Sequence, residues 1–213
     1  MAISRAPRIY VLAGVNGAGK SSIGGAAILQ YGGKYFNPDE AARRLKTANP
    51  GLNQTVANSA AWQKGRALLE RAIAERRDFA FETTLGANTI PRLLIEAAQA
   101  GFEIHMWYAG LSSAELNIAR VRSRVRRAGH DIPEIDIRRR YEHSRLNLVH
   151  LLSNLTALRM FDNSVSADPA VGKIPQLVLV LDIKEGKILN KMALAATPDW
   201  AKPIVAAALK VYR

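Results

Sequence analysis

"RIYVLAGVNGAGKSS", residues 8–22, joins an apolar run to a glycine-rich turn ending in Lys-Ser. Gly14, Gly19, Lys20 and Ser21 satisfy the spacing G-x-x-x-x-G-K-[ST]. A strand pattern precedes it and a helical pattern over 20–30 follows, which is the setting that gives the motif meaning. Glycines let the backbone curl closely and aim successive N–H groups at phosphate oxygens, at the positive end of the next helix. Gly14, Asn16, Gly17, Ala18, Gly19, Lys20, Ser21 and Ser22 are therefore the expected cradle for ATP. Lys20 would reach the β and γ phosphates, and the Ser21 hydroxyl would join the shell of a Mg2+ ion. The loop says that phosphate is held. It leaves open whether that phosphate drives a motor, sets a switch or passes to an acceptor.

Outward from the loop, strand patterns at 8–13, 34–36, 79–83, 103–109 and 157–162 alternate with helical ones. The helices are expected at 20–30, 39–46, 54–77, 88–100, 112–128 and 134–153. This alternation predicts an α/β chain of the P-loop NTPase fold, a mostly parallel sheet with helices on both faces. After "FDNS" (161–164) the pattern changes: "LVLVLDIKEGKILNK" (177–191) reads as an antiparallel hairpin and "DWAKPIVAAALKVY" (199–212) as a closing helix. No repeat or linker divides the 213 residues, so a single domain is expected.

The chain carries a formal charge of +12 and no cysteine. Disulfides, thiolate metal sites and cysteine nucleophiles are thereby excluded, which suits a cytoplasmic setting. The basic balance points to a phosphorylated or polyanionic partner. The apolar stretches are too short to span a bilayer, and no membrane association is expected.

A motor ATPase needs an acid at the end of a central strand. "LVLVLD" ends in Asp182, but "KEGK" turns the chain straight back, so Asp182 reads as an edge-hairpin residue. No N-K-x-D string suggests a guanine reader. "FAFETT" (79–84) is a better second element, placing Glu82 and Thr83 at the carboxyl end of a strand, where open parallel sheets bind ligands. Glu82 there could hold magnesium through water, grip an acceptor hydroxyl or simply cap the loop. In "NPDE" (37–40), Asn37 and Glu40 form a capping box around Pro38. Asp39 is then either a first-turn acid favoured by the helix dipole or the base that takes a hydroxyl proton from an acceptor.

The most charged region is "RVRSRVRRAGHDIPEIDIRRRYEHSR" (120–145). Ala114, Ile118, Val121 and Val125 form a buried helical stripe, and Arg120, Arg124 and Arg127 form a basic stripe away from it. "GHDIP" breaks the helix, and Pro133 starts another whose apolar face holds Ile137, Tyr141, Leu148, Leu151 and Leu155. Two arginine-bearing helices around a hinge describe a lid over phosphates, although a solvated basic face or a nucleic-acid patch would share that composition. Aromatic residues are sparse there, which makes nucleic acid the weaker partner. His130 in the hinge either stabilises the turn or touches substrate.

With the loop, "NPDE", "FETT", the Gly-His-x-x-Pro lid followed by Arg-Arg-Tyr, and "FDNS" in this order, residues 8–164 resemble the zeta-toxin family of P-loop kinases. The two "RV" repeats and "AGH" look closest to the broad group of zeta-like ATP-binding proteins. The resemblance implies ATP-dependent phosphorylation of a small acceptor, UDP-N-acetylglucosamine in characterised members, and raises an antitoxin protein as a partner. By position it makes Asp39 the catalytic base and Glu82 with Thr83 the acceptor-side strand end. Arg120, Arg124 and Arg127 become phosphate ligands, and Asn163 and Ser164 lie near the adenine. A kinase for a nucleoside, antibiotic or other sugar, or a nucleic-acid-associated ATPase, are the alternative readings.

Overall fold

The structure is a computed structural model that describes residues 5–20, 35–126, 131–165 and 177–212. The expected helix after the loop, Ser21, Ser22, Arg127 and His130 lie outside the described residues. The elements in chain order are β1 (Arg8–Gly14), α1 (Pro38–Ala48), α2 (Gln54–Ala74), β2 (Phe79–Thr83), α3 (Thr89–Gln99) and β3 (Glu103–Gly110). They continue with α4 (Ala114–Val125), α5 (Glu134–Leu151), β4 (Ala157–Asp162), β5 (Val178–Lys184), β6 (Lys187–Lys191) and α6 (Lys202–Val211).

The six strands form one sheet in the order β2-β1-β3-β4-β5-β6. The first four run parallel, while β5 and β6 are antiparallel additions, as the composition of the tail predicts. Phe36 adds a parallel bridge to Phe81 on the other edge of β2, through Phe36 N–H to Ala80 O (2.8 Å) and Glu82 N–H to Phe36 O (2.9 Å). This short bridge stands where a strand over 34–36 is expected. It brings the start of α1 beside Glu82.

Side chains alternate across β1 because strand residues point to opposite faces. Ile9, Val11 and Ala13 enter a core with Leu69 of α2, Leu94 of α3, Leu148 of α5 and Ile204 of α6. Tyr10 and Leu12 pack on the other face with Val15, Ala18, Leu111 and Tyr141. A third cluster of Ile118, Val121, Ile132 and Ile137 joins α4 to α5, so the two lid helices share their own small core.

Helix ends differ from expectation where a local hydrogen bond intervenes. Helix α2 stops at Ala74 because Arg76 takes a left-handed φ of 49° and Arg77 N–H turns back to Ala72 O at 2.9 Å. Helix α4 starts two residues late because the Ser113 hydroxyl accepts from Leu116 N–H at 3.1 Å. Helix α5 gives way to a 3-10 turn over Leu152–Asn154. In the hairpin, Glu185 and Gly186 both take positive φ, at 50° and 75°, matching the twist of the flanking strands. Asp182 lies on antiparallel β5 and pairs with Arg159 of β4 at 3.3 Å. No helix among the described residues is long and apolar enough to cross a membrane.

The segment before α6 seals the carboxyl end of β3 and β4. The Trp200 indole N–H donates to Asp162 at 2.9 Å, and its ring lies so close to Gly110 that an added Cβ would meet it at 2.1 Å. Gly110→Ala is expected to overpack this contact and lower the unfolding free energy by about 2 kcal/mol. Urea denaturation measures it, and an unchanged midpoint would show that the Trp200 seal yields freely.

Candidate functional site

The loop after β1 begins at Gly14, whose φ of 136° suits only glycine and whose absent Cβ would lie 2.1 Å from the Ala109 carbonyl. From there the chain turns over the carboxyl edge of the sheet. Three tertiary contacts hold it. The Asn163 side-chain amide donates to Ala18 O at 2.9 Å. Arg120 donates to Gly17 O at 3.3 Å and to Asn163 O at 2.7 Å. Arg140 of α5 approaches Asn16 Oδ1 at 3.5 Å.

Lys20 is 8% exposed and folds back on the loop, donating to Val15 O at 3.2 Å. Its ammonium also lies 3.5 Å from Glu82 Oε1 at the end of β2. The other Glu82 oxygen accepts from the Asn37 amide at 3.1 Å. Burial pushes Glu82 above the usual carboxylate value; Lys20 pulls it back, Asp39 adds to the rise, and Arg124 opposes it. The two carboxylates and two cations therefore feel one another across a single pocket.

Asp39 occupies the first turn of α1, where the Asn37 side-chain oxygen accepts from the backbone N–H groups of Asp39 (2.9 Å) and Glu40 (3.1 Å). From the lid, Arg124 reaches across to Asp39 at 3.5 Å. Two adjoining cavities open here, of about 940 and 1110 Å³, and both are bordered by Asn16, Lys20, Asp39 and Glu82. Gly17, Gly19, Arg120 and Arg124 line the first. Thr83, Thr84, Trp62, Arg66, Arg139 and Arg140 line the second.

The residues singled out in the sequence are thus distributed in distinct ways. Lys20, Asp39, Glu82, Arg120 and Arg124 converge on one cavity. Arg120 is also fastened to backbone carbonyls, and burial pushes its guanidinium below the ordinary arginine value while Asp162 opposes that. Asn163 is 4% exposed and ties down the loop through Ala18, while Ser164 hydrogen-bonds Asp162. The Thr83 hydroxyl accepts from Leu85 N–H at 3.1 Å, shaping the turn after β2.

Several other lid arginines are spent on neighbouring carboxylates. Arg138 pairs with Glu115 (2.6 Å), Arg139 with Asp136 (2.7 Å), Arg122 with Glu134 and Arg145 with Glu142. The charge run is in good part an ion-paired surface, which weakens the nucleic-acid reading. Sequence reasoning missed three residues of the pocket. Asn37 is legible only as a helix cap, Arg140 is one arginine among many, and Trp62 carries no motif at all.

The sequence matches the zeta toxin family over residues 2–165. A relative from Haemophilus influenzae, described only as an uncharacterized protein, is 33% identical over 137 residues, covering 60% of this chain and 88% of its own. Among solved structures, AvrRxo1-ORF1:-ORF2 crystallised with ATP superposes with a TM-score of 0.66 at 14% identity, over 95% of this chain. The chain spans 63% of the length of that neighbour. The PezAT chromosomal toxin–antitoxin system of Streptococcus pneumoniae gives a TM-score of 0.56 at 16% identity, covering 81% of this chain and 75% of that one. These structural likenesses speak to the fold, and the family match covers most of the sequence: this chain belongs to the zeta toxin family.

Proposed function

We propose that this protein is an ATP-dependent phosphotransferase that moves the γ-phosphoryl group of ATP to a hydroxyl of a small acceptor. The observation that carries the reading is the meeting of Lys20, Glu82, Asp39 and Arg124 where the glycine-rich loop faces the start of α1. A switch or motor passes the phosphate to a positioned water and needs no cavity for an acceptor. Here a second cavity adjoins the first, and Asp39 borders both.

In the proposed reaction the loop N–H groups and Lys20 bind the β and γ phosphates, with Lys20 exchanging its contacts to Val15 and Glu82 for phosphate oxygens. The acceptor hydroxyl attacks the γ phosphorus, a new P–O bond forms, and the bond to the bridging oxygen of ADP breaks. Asp39 takes the hydroxyl proton. Glu82 positions the acceptor, and Arg124, drawn from Asp39 towards the phosphates, neutralises the charge in transfer. Arg120 holds the loop in the shape this requires. Mg2+ fits the donor chemistry, because it prefers hard oxygen ligands and binds largely through nucleotide phosphates, which the turn through Gly17 and Gly19, both at positive φ, is shaped to hold. When bound, it would neutralise charge on the phosphates, with Ser21 as its expected protein hydroxyl.

For the acceptor we propose UDP-N-acetylglucosamine, on the strength of family membership. The second cavity has room for a sugar nucleotide, with Arg140 along it for anionic groups and Trp62 as a flat apolar surface. The PezAT neighbour is a toxin–antitoxin system, and an antitoxin is accordingly proposed as a protein partner. A screen with radiolabelled ATP against UDP-sugars, nucleosides, sugars and antibiotics tests the acceptor directly.

Asp39→Asn is expected to cut transfer by about 100-fold or more while ATP still binds. Because Arg124 no longer faces the Asp39 carboxylate, ATP affinity should rise by about two- to five-fold, the scale of a partly exposed ion pair. Transfer within a few-fold of wild type would contradict the role of Asp39. In Lys20→Met, ATP binding should be lost and the Glu82 titration should move further up, since its main attractive cation is gone. The native state then binds more protons than the unfolded chain, so this variant should lose stability relative to wild type as pH rises through the carboxylate range. Unfolding measured as a function of pH checks the sign, and a parallel pair of profiles would contradict it.

A further inference from the structure

Asn37 divides its side-chain amide between the two carboxylate-bearing elements. Its oxygen accepts from Asp39 N–H (2.9 Å) and Glu40 N–H (3.1 Å), and its nitrogen donates to Glu82 Oε2 (3.1 Å). The orientation of the amide is fixed by its partners, because backbone donors lie on one side and a carboxylate on the other. The bridge at Phe36 places the residue there, binding the preceding backbone to Ala80 and Glu82 of β2. Aspartate and serine cap helices about as well as asparagine. Neither can accept from the helix start and donate an amide N–H to Glu82 at once. The choice of asparagine thus exceeds what capping needs.

We propose that Asn37 is a positioning residue of the transfer site, whose carboxamide locks the Asp39 turn and the Glu82 carboxylate into one frame. This rests on the kinase reading given above. In this proposal Asn37 acts through Asp39 and Glu82. Among the described residues, the charged groups around Glu82 are Lys20 from the loop, Asp39 from α1 and Arg124 from α4. Asn37 supplies a neutral donor to this shell. Without it, Oε2 loses its hydrogen bond and the carboxyl group is free to rotate against Lys20.

Two cap-preserving variants test the idea. Asn37→Ser keeps a capping oxygen and removes the amide donor. Asn37→Asp keeps the cap and sets a second carboxylate against Glu82. With ATP and UDP-N-acetylglucosamine, both should lower kcat by about ten-fold or more while the KM for ATP stays within about two-fold. The acid limb of the kcat/KM profile should move to higher pH, furthest in Asn37→Asp. Carbon NMR of the Glu82 carboxyl group provides an arm independent of turnover, and its titration should rise in both variants. An unmoved Glu82 titration overturns the proposal, as does a kcat loss that only follows a lowered melting temperature. Wild-type protein that transfers nothing to any acceptor would instead overturn the kinase reading, with the NMR arm still deciding the role of Asn37.

Discussion

The buried ion pair between Lys20 and Glu82 organises the rest of the site. Its charged atoms lie 3.5 Å apart, with side chains 9% and 11% exposed. Removing two such charges from water costs several kcal/mol per ion, and their attraction seldom returns much more than that. Stability alone gives no reason to keep the pair. In the proposed reaction it is a lysine held ready for phosphate, with Glu82 and the Val15 carbonyl as the partners that anionic oxygens would replace. The parallel register that sets Leu12 beside Glu82 and Ala13 beside Thr83 delivers the carboxylate to the loop.

The same logic extends to the lid. Arg124 pairs with Asp39, so a second cation of the site faces a carboxylate. Arg120 has a different task, since its hydrogen bonds run to the carbonyls of Gly17 and Asn163. It staples the loop to the end of β4, where Asn163 adds its own bond to Ala18. Arg138 and Arg122 tie α4 and α5 together through Glu115 and Glu134, while Arg139 and Arg145 pair within α5. A uniform basic run in sequence thus separates in space into a staple, a cation facing Asp39 and a set of surface ion pairs.

This separation explains which features were legible from sequence. The strand, the glycine spacing and Lys20 lie within one local stretch, and the hydrophobic periods of β1, α4 and α5 report directly on burial. Asp39 and Glu82 could be named because Asp39 opens α1 and Glu82 stands at the carboxyl end of β2. Their connection could not, because it depends on Phe36 meeting Phe81 across 45 residues of chain. Asn37 looked like a complete helix cap, and nothing in its neighbours announced the second bond to Glu82. Arg140 and Trp62 acquire meaning only when α5 and α2 are set around the second cavity. The Trp200 seal on Gly110 likewise joins residues that share no local pattern.

The central claim is that Lys20 and Arg124 are held by Glu82 and Asp39 until nucleotide arrives, and that Asp39 then faces the phosphorus being transferred. A crystal structure with Mg2+ and a non-hydrolysable ATP analogue tests this most directly. The account predicts Lys20 on the terminal phosphate and separated from Glu82, Arg124 withdrawn from Asp39, and the Asp39 carboxylate on the side of the γ phosphorus opposite the leaving ADP. Phosphates bound with both ion pairs intact, or with Asp39 turned away from the γ phosphorus, would contradict it.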